Sequence, residues 1–310
     1  MSFKSPFQQD FDARAQAFSQ SEPDSMLSFQ QAMQIQSQKV YDLEQPRYAG
    51  MPGLAVLTPP YTYLLHRRHA DTANAAANGP RSGATGMLLS ADHLGTHIDA
   101  LCHQADEMKL FGGEKLTPAI ETPAGFTRHG AETIAPIVSQ GFLLDVAYHH
   151  KVSALPAGYV ISAEDLEATM KAQGRLIMNG GVILVRTGYG QYWNDPATYA
   201  LAAGLSPDAN RWLLARQPLA VGADNLTWDA PGARDETTGA NLFGHLELLA
   251  RHGIYIMENL NLEGLAADFV DHFLFIAAPL KLKGATGSPV RPLAIELQAQ
   301  TMEFVQPERR

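Results

Sequence analysis

Three histidines and an aspartate crowd one short segment, HLGTHIDALCH from His93 to His103. Imidazole nitrogen and carboxylate oxygen are ligands for Zn, Mn or Fe, and such a set needs no thiolate. A helix would place Asp99 about 200° around from His97, and Gly95, Thr96 and Ile98 are poor helix formers. An extended chain does better. Alternation then sends His93, His97 and Asp99 to one face, with Gly95 leaving open space between them. The expectation is a strand that aims two imidazoles and a carboxylate at one divalent cation. His103, past a turn at Ala100 to Cys102, is near enough to act on a metal-bound water without itself holding the ion. For any single histidine a satisfied polar pairing is the better account; the density and shared phase of the set favour the metal. Cys102 has no cysteine-protease or amidase surroundings and reads as a small buried hydrophobe.

Two later residues also stand out. Glu258 closes an apolar run in phase with Ile254 and Ile256, so a carboxylate is aimed where its neighbours aim methyl groups and needs a cation or a donor. His245 lies on the helix expected just before it, over Ala240 to His252. Both readings stay open for the pair, active-site duty or a structural pairing with each other. Asp224 fits a strand-end turn better than the orientation of a ligand histidine. Gly284 to Ser288, GATGS, lacks the lysine and spacing of a phosphate loop and reads as a glycine turn. Phe111, Tyr192 and Trp193 fit core packing better than stacking on a substrate. His149, His150 and His252 fit surface or helix-end positions.

The elements that must carry these groups alternate between strand and helix. Gly141 to Val146 and Gly181 to Arg186 are short β-branched and apolar runs. Between them Ser162, with Asp165 three residues on, starts a helix running to Gln173. Gly188 and Gly190 follow the second run and mark the chain's exit to a pocket rim. Gly253 stops the Ala240 to His252 helix before the strand Ile254 to Glu258. Ala70 to Gly86, rich in Ala, Asn and Gly, reads as a mobile lid-like loop. The first 38 residues form a glutamine-rich arm with Met26, Phe29 and Met33 at helical spacing, and residues 39–310 form one α/β domain.

The segment from His93 to His103 resembles the HxGTHxDxxxH signature of the cyclase family of metal-dependent hydrolases, which includes bacterial kynurenine formamidase and isatin hydrolase. GVILVRTGYG at Gly181 to Gly190, GHLELLARHGIYIMENLNLEGLA at Gly244 to Ala266 and APLKLKGATGSPVRPLAIE at Ala278 to Glu296 are similar to later blocks of that family. Leu101 stands where the formamidase branch usually carries proline; with the long arm and the GATGSP segment, this likens the chain to the isatin-hydrolase branch. The resemblance implies a mixed sheet or barrel-like core with flanking helices. It also implies metal ligands at His93, His97 and Asp99, and a general acid/base at His103. His245 and Glu258 match the residues that complete a binuclear site, while His245 matches a substrate-binding histidine in members with one metal. Mn or Zn, as one or two ions, is the implied cofactor, and a homodimer or homotetramer the implied assembly.

Composition bounds the rest. The chain has 310 residues and a formal charge of -9, from 23 Lys and Arg against 32 Asp and Glu, so its field repels polyanions. Nucleic acid and anionic membranes are excluded as expected partners, and no apolar run is long enough for a membrane span. A single cysteine and no readable signal sequence point to the cytoplasm. The sequence therefore predicts a hydrolase that opens a C–N bond in a small aromatic or cyclic amide, formamide or lactam. The alternatives are a non-haem iron oxygenase built on His97 and Asp99, expected as a jelly roll, or a non-catalytic protein stabilised by its metal.

Overall fold

The computed structural model describes residues 39–297. The arm expected over residues 1–38 lies outside the described residues. Among the described residues no helix is long and apolar enough to cross a membrane.

The run GVILVR forms a strand because its alternate residues are wanted on two separate faces. Val182 and Leu184 join one apolar cluster with Ile98, Met257, Phe273 and Phe275. Ile183 and Val185 join another with Leu166, Val221, Leu248 and Ile256. A strand buried on both faces reads as continuous apolar sequence, the mark of the parallel centre of an α/β sheet. We label the strands of the main sheet and of one hairpin β1 (Val40–Asp42), β2 (Thr62–Arg67), β3 (Thr85–Leu89), β4 (His97–Asp99), β5 (Ile137–Asp145) and β6 (Val182–Arg186). They continue as β7 (Ala220–Ala223), β8 (Tyr255–Glu258), β9 (His272–Ala277), β10 (Gly287–Pro289) and β11 (Leu293–Glu296). The main sheet has nine strands in the order β1-β11-β9-β5-β6-β7-β8-β4-β10. Strands β5, β6, β7 and β8 are mutually parallel. The remaining neighbours pair antiparallel. The sheet curls into a half-barrel flanked by helices, so the expected mixed, barrel-like α/β core is the one observed.

Helices α1 (Ala163–Ala172) and α2 (Pro207–Leu214) bury Leu166, Met170, Ala209 and Leu213 on the Ile183 face. The expected start of α1 is a full capping box: the Asp165 N–H donates to Ser162 Oγ at 3.1 Å and the Ser162 N–H donates to Asp165 Oδ2 at 2.8 Å. The helix expected over 240–252 is shorter, a π-wound His245–Arg251, and Gly253 at φ +68° ends it as predicted. Its start is delayed because the chain before it is held in a turn in which the Asp235 N–H donates to the Ala240 carbonyl at 2.9 Å.

Two further expectations are corrected. The strand at the site is three residues long, so His93 precedes it in a turn rather than sharing its alternation. Gly95 takes φ +67°, and a Cβ there would lie 2.7 Å from the Arg47 guanidinium, which donates to the carbonyls of Leu94 and Thr96. Glycine at this position thus redirects the chain and admits the arginine, instead of leaving open space. The Ala70 to Gly86 segment is not a bare loop. Strands β2 and β3 pair as an antiparallel hairpin, joined through helical turns at His69–Thr72 and Ala75–Asn78. Alanine favours helix, and Asn74 caps the second turn by accepting from the Ala77 N–H, so this composition builds local structure.

Candidate metal centre

Strand register decides which side chains meet. Strand β4 pairs antiparallel with β8 so that His97 stands opposite Glu258. Directly paired residues share a face, and Asp99, two residues on, shares it too. Glu258 ends one of the parallel strands, the usual place for a site in an open α/β sheet. The π-wound segment lies over this face and lowers His245 onto it from the other side.

The result is a cluster of acceptors. His97 Nε2 lies 3.5 Å from Asp99 Oδ1 and 3.4 Å from Glu258 Oε2. His245 Nε2 lies 3.6 Å from Asp99 Oδ2 and 3.3 Å from Glu258 Oε1. His93 Nδ1 lies 2.9 Å from Asp99 Oδ1. All five side chains are at most 9% exposed. The ligand atoms of His93, Asp99 and His103 fall within 4.8 Å of one another, as do those of Asp99, His245 and Glu258, so the two groups share Asp99. The structure therefore brings together His93, His97, Asp99, His103, His245 and Glu258, the six residues the sequence analysis placed at the site. It also puts His103 beside them, within 4.8 Å of Asp99 and with its ring 4.1 Å from that of His93.

Each imidazole has its tautomer fixed from behind. The Gly95 carbonyl can only accept, so His97 Nδ1 donates to it at 2.8 Å and leaves Nε2 bare. His245 Nδ1 donates to Asp229 Oδ2 at 2.7 Å, which leaves Nε2 to face the cluster. Thr286 gives its hydroxyl proton to Asp92 at 2.8 Å, so its oxygen accepts from His93 Nε2 at 2.9 Å and leaves Nδ1 bare. Behind Glu258 the Trp228 N–H donates to Oε1 at 2.8 Å. Asn259, at φ +57°, donates to the same Gly95 carbonyl at 3.2 Å and ties β8 to the turn before β4. With the rings neutral, three lone pairs and two carboxylates thus face one centre with no donor among them. His97 Nε2 and both Asp99 oxygens are buried without a hydrogen-bond partner, and the close His93 approach to Asp99 lacks hydrogen-bond alignment. Buried acceptors left bare cost several kcal/mol each. A divalent cation is the group this donor set fits, through nitrogen and oxygen alone.

The electrostatics agree. Burial pushes His245 and His93 down, but Asp229 with Glu258 raises the first well above the ordinary histidine value, and Asp99 with Asp92 raises the second. Burial works against ionised Asp99, yet the surrounding histidines hold it well below the carboxylate range. His103 goes the other way. Burial first, then the neighbouring His93 and His245, push it down to about 4 against the pull of Asp99.

Sequence reasoning missed the residues behind the ligands. Asp229, not Asp224, orients a ligand histidine. Asp224 accepts from the backbone N–H groups of Thr187, Gly188 and Gly190 and braces the pocket rim, the strand-end role expected of it. The GATGS segment is the expected glycine turn, yet its Thr286 also holds His93. Trp193 packs with Met51, Leu94 and Tyr199 and donates to the Pro46 carbonyl at 2.7 Å, as a core residue. Cys102 is buried, with its thiol pushed up to about 12 by desolvation, and offers no thiolate.

A family profile described as "Putative cyclase" matches residues 38–230. The chain belongs to the cyclase family. An isatin hydrolase of Roseibium aggregatum is 27% identical over 229 residues, covering 71% of this chain and 77% of that protein. Among solved structures, a novel cyclase shares 26% identity at a TM-score of 0.74, covering 89% of this chain and 92% of the other. An isatin hydrolase bound to the product analogue thioisatinate shares 22% identity at a TM-score of 0.63, covering 89% and 100%. The curled sheet is therefore the cyclase fold, and the acceptor cluster sits on it at β4 and the end of β8.

Two outcomes follow from the geometry. Protons held by His245 and His93 compete with a cation, so Zn or Mn affinity measured by calorimetry should fall as the pH drops through and below the range where those groups protonate, with protons released on binding. An affinity independent of pH would contradict the donor set. Thr286→Val should weaken metal binding by about 10–100-fold, the usual worth of a residue that orients a ligand, and Thr286→Ser should restore it. Equal affinity in all three proteins would remove Thr286 from that role.

Proposed function

We propose that this cyclase-family protein is a metal-dependent hydrolase that opens a C–N bond in a small aromatic or cyclic amide, formamide or lactam. The observation that carries the reading is the convergence of ligand atoms from His93, His97, Asp99, His245 and Glu258, with His103 beside them. These five residues would hold one or two divalent ions, Mn or Zn, with Asp99 common to both ligand groups. When bound, such an ion acidifies water and polarises a carbonyl, the two demands of amide hydrolysis.

The chain's own groups supply the proton traffic. His103, held neutral at physiological pH by burial and by its histidine neighbours, accepts a proton from the attacking water at a ring nitrogen. The same nitrogen then returns the proton to the leaving amide nitrogen. Asp229, Thr286 and the Gly95 carbonyl keep the surrounding imidazoles from rotating out of register. The isatin hydrolase of Roseibium aggregatum, 27% identical, supports a cyclic amide as the substrate class. The buried Cys102 thiol fits a cytoplasmic setting, which belongs to the same proposal. The oxygenase alternative required a jelly roll, and the parallel-centred sheet flanked by helices removes its structural basis.

The test pairs a variant with a substrate panel. His103→Ala should keep its metal by elemental analysis and lose about 10²–10⁴-fold in turnover. Full turnover would take His103 out of the chemistry. Metal-loaded wild-type protein should hydrolyse at least one of isatin, N-formylkynurenine or simple cyclic amides; inertness toward all of them would overturn the C–N reading.

A further inference from the structure

We propose that Asn259 is a positioning residue for the metal centre: its side-chain amide, oriented by Tyr199, holds the Gly95 carbonyl that fixes His97. This role presupposes that His97 ligates a metal, and it is exerted through a backbone carbonyl rather than on the ligand itself. The ladder between β4 and β8 ends at the pair His97 and Glu258. Just past it both chains turn away, Gly95 at φ +67° and Asn259 at φ +57°. Asparagine is one of the few side chains that tolerate that backbone region, and here its amide bridges the gap that two departing strands leave. Its Nδ2 donates to the Gly95 carbonyl at 3.2 Å, the same oxygen that accepts from His97 Nδ1 at 2.8 Å.

The amide has one workable orientation. The Gly95 carbonyl can only accept, so the NH2 group must face it, and Oδ1 faces Tyr199. The Tyr199 hydroxyl, 3.2 Å from Oδ1, is therefore the donor. Burial, with Asp224 and Glu258 adding to it, holds that phenol well above its ordinary value, so its proton stays in place. Tyr199 is fixed in turn. It is fully buried and packs edge-on against Trp193, ring centres 5.0 Å apart, in the cluster that includes Met51 and Leu94. A continuous line thus runs from that aromatic cluster through Tyr199, Asn259 and Gly95 to His97. The backbone of residue 259 makes bonds of its own: its N–H donates to the Asn225 carbonyl at 3.0 Å, and its carbonyl accepts from the Thr96 hydroxyl at 2.6 Å. Those bonds hold the turn whatever side chain stands there, which leaves the orientation of His97 as the separate task of the amide.

Three variants isolate that task. Asn259→Gly accepts the positive φ and removes the amide, while Asn259→Asp keeps the shape and turns a second acceptor toward the Gly95 carbonyl. Tyr199→Phe keeps the ring against Trp193 and removes the donor. Zn²⁺ affinity measured by calorimetry should fall about 10–100-fold in the two Asn259 variants, and in the same direction in Tyr199→Phe, with unchanged far-UV circular dichroism. Proton NMR of the Co²⁺-loaded protein reads the ligand itself, since an imidazole that ligates through one nitrogen shows its other N–H as a paramagnetically shifted, exchangeable signal. One such signal, that of His97, should exchange faster with solvent in each variant. Those of His93 and His245 should keep their wild-type rates, because Thr286 and Asp229 are untouched. Unchanged affinity and exchange in the folded variants overturn the proposal, and so does a fall in affinity that disturbs all of the signals alike or none of them. Should the Asn259 variants fail to fold, Tyr199→Phe decides on the same two measurements. A wild type that takes up neither Zn²⁺ nor Co²⁺ would instead overturn the metal centre itself, and this role of Asn259 with it.

Discussion

Asp99 sets the terms for the rest of the site. Its carboxylate is 1% exposed, and neither oxygen has a hydrogen-bond donor among the described residues. An ionised carboxylate in that position is tolerable only where positive charge surrounds it. The imidazoles of His93, His97 and His245 stand within 3.6 Å of its oxygens, each with its other nitrogen tied up behind. In the absence of a cation, protons on the rings offset the carboxylates: Asp99 holds one on His93 against burial, and Asp229 with Glu258 holds one on His245.

The fold serves this constraint through register. Pairing Glu258 with His97 across β8 and β4 fixes two ligands with backbone bonds, and Asp99 follows by the alternation of the same short strand. The two remaining histidines come from outside the sheet, so they need separate anchors. Asp229 holds His245 from the loop before the π-wound segment, and Thr286, itself held by Asp92, holds His93 from the turn before β10. Gly287 beside Thr286 is part of the fit, since a Cβ there would lie 2.8 Å from the His93 ring. His103 has no such anchor among the described residues, which leaves its ring nitrogens free for the proton transfer proposed for it.

The sequence exposed the candidate site because its chemistry is concentrated: four of its six residues lie between His93 and His103, and Glu258 breaks an apolar rhythm. It exposed β6 and the start of α1 for similar local reasons, a doubly buried strand and a capping box. The anchors stayed hidden because their roles exist only across the fold. Thr286 is 193 residues from His93, and nothing near it in sequence marks its hydroxyl. Asp229 is 16 residues from His245 and resembles any turn aspartate. The extended phase assigned to His93 was wrong because Gly95 turns the chain, yet the ring still reached the right side. The hairpin went unread because alternation is informative only when one face is polar, and here both faces are apolar.

The central claim is that these side chains form one metal centre around Asp99. Anomalous diffraction at the Zn or Mn absorption edge from crystals of the metal-loaded protein tests it most directly. The account predicts a peak at about 2.0–2.2 Å from both an Asp99 oxygen and His97 Nε2, with nitrogen and oxygen as the only ligands. A peak confined to surface residues, or one that leaves both Asp99 oxygens without a metal contact, would contradict it.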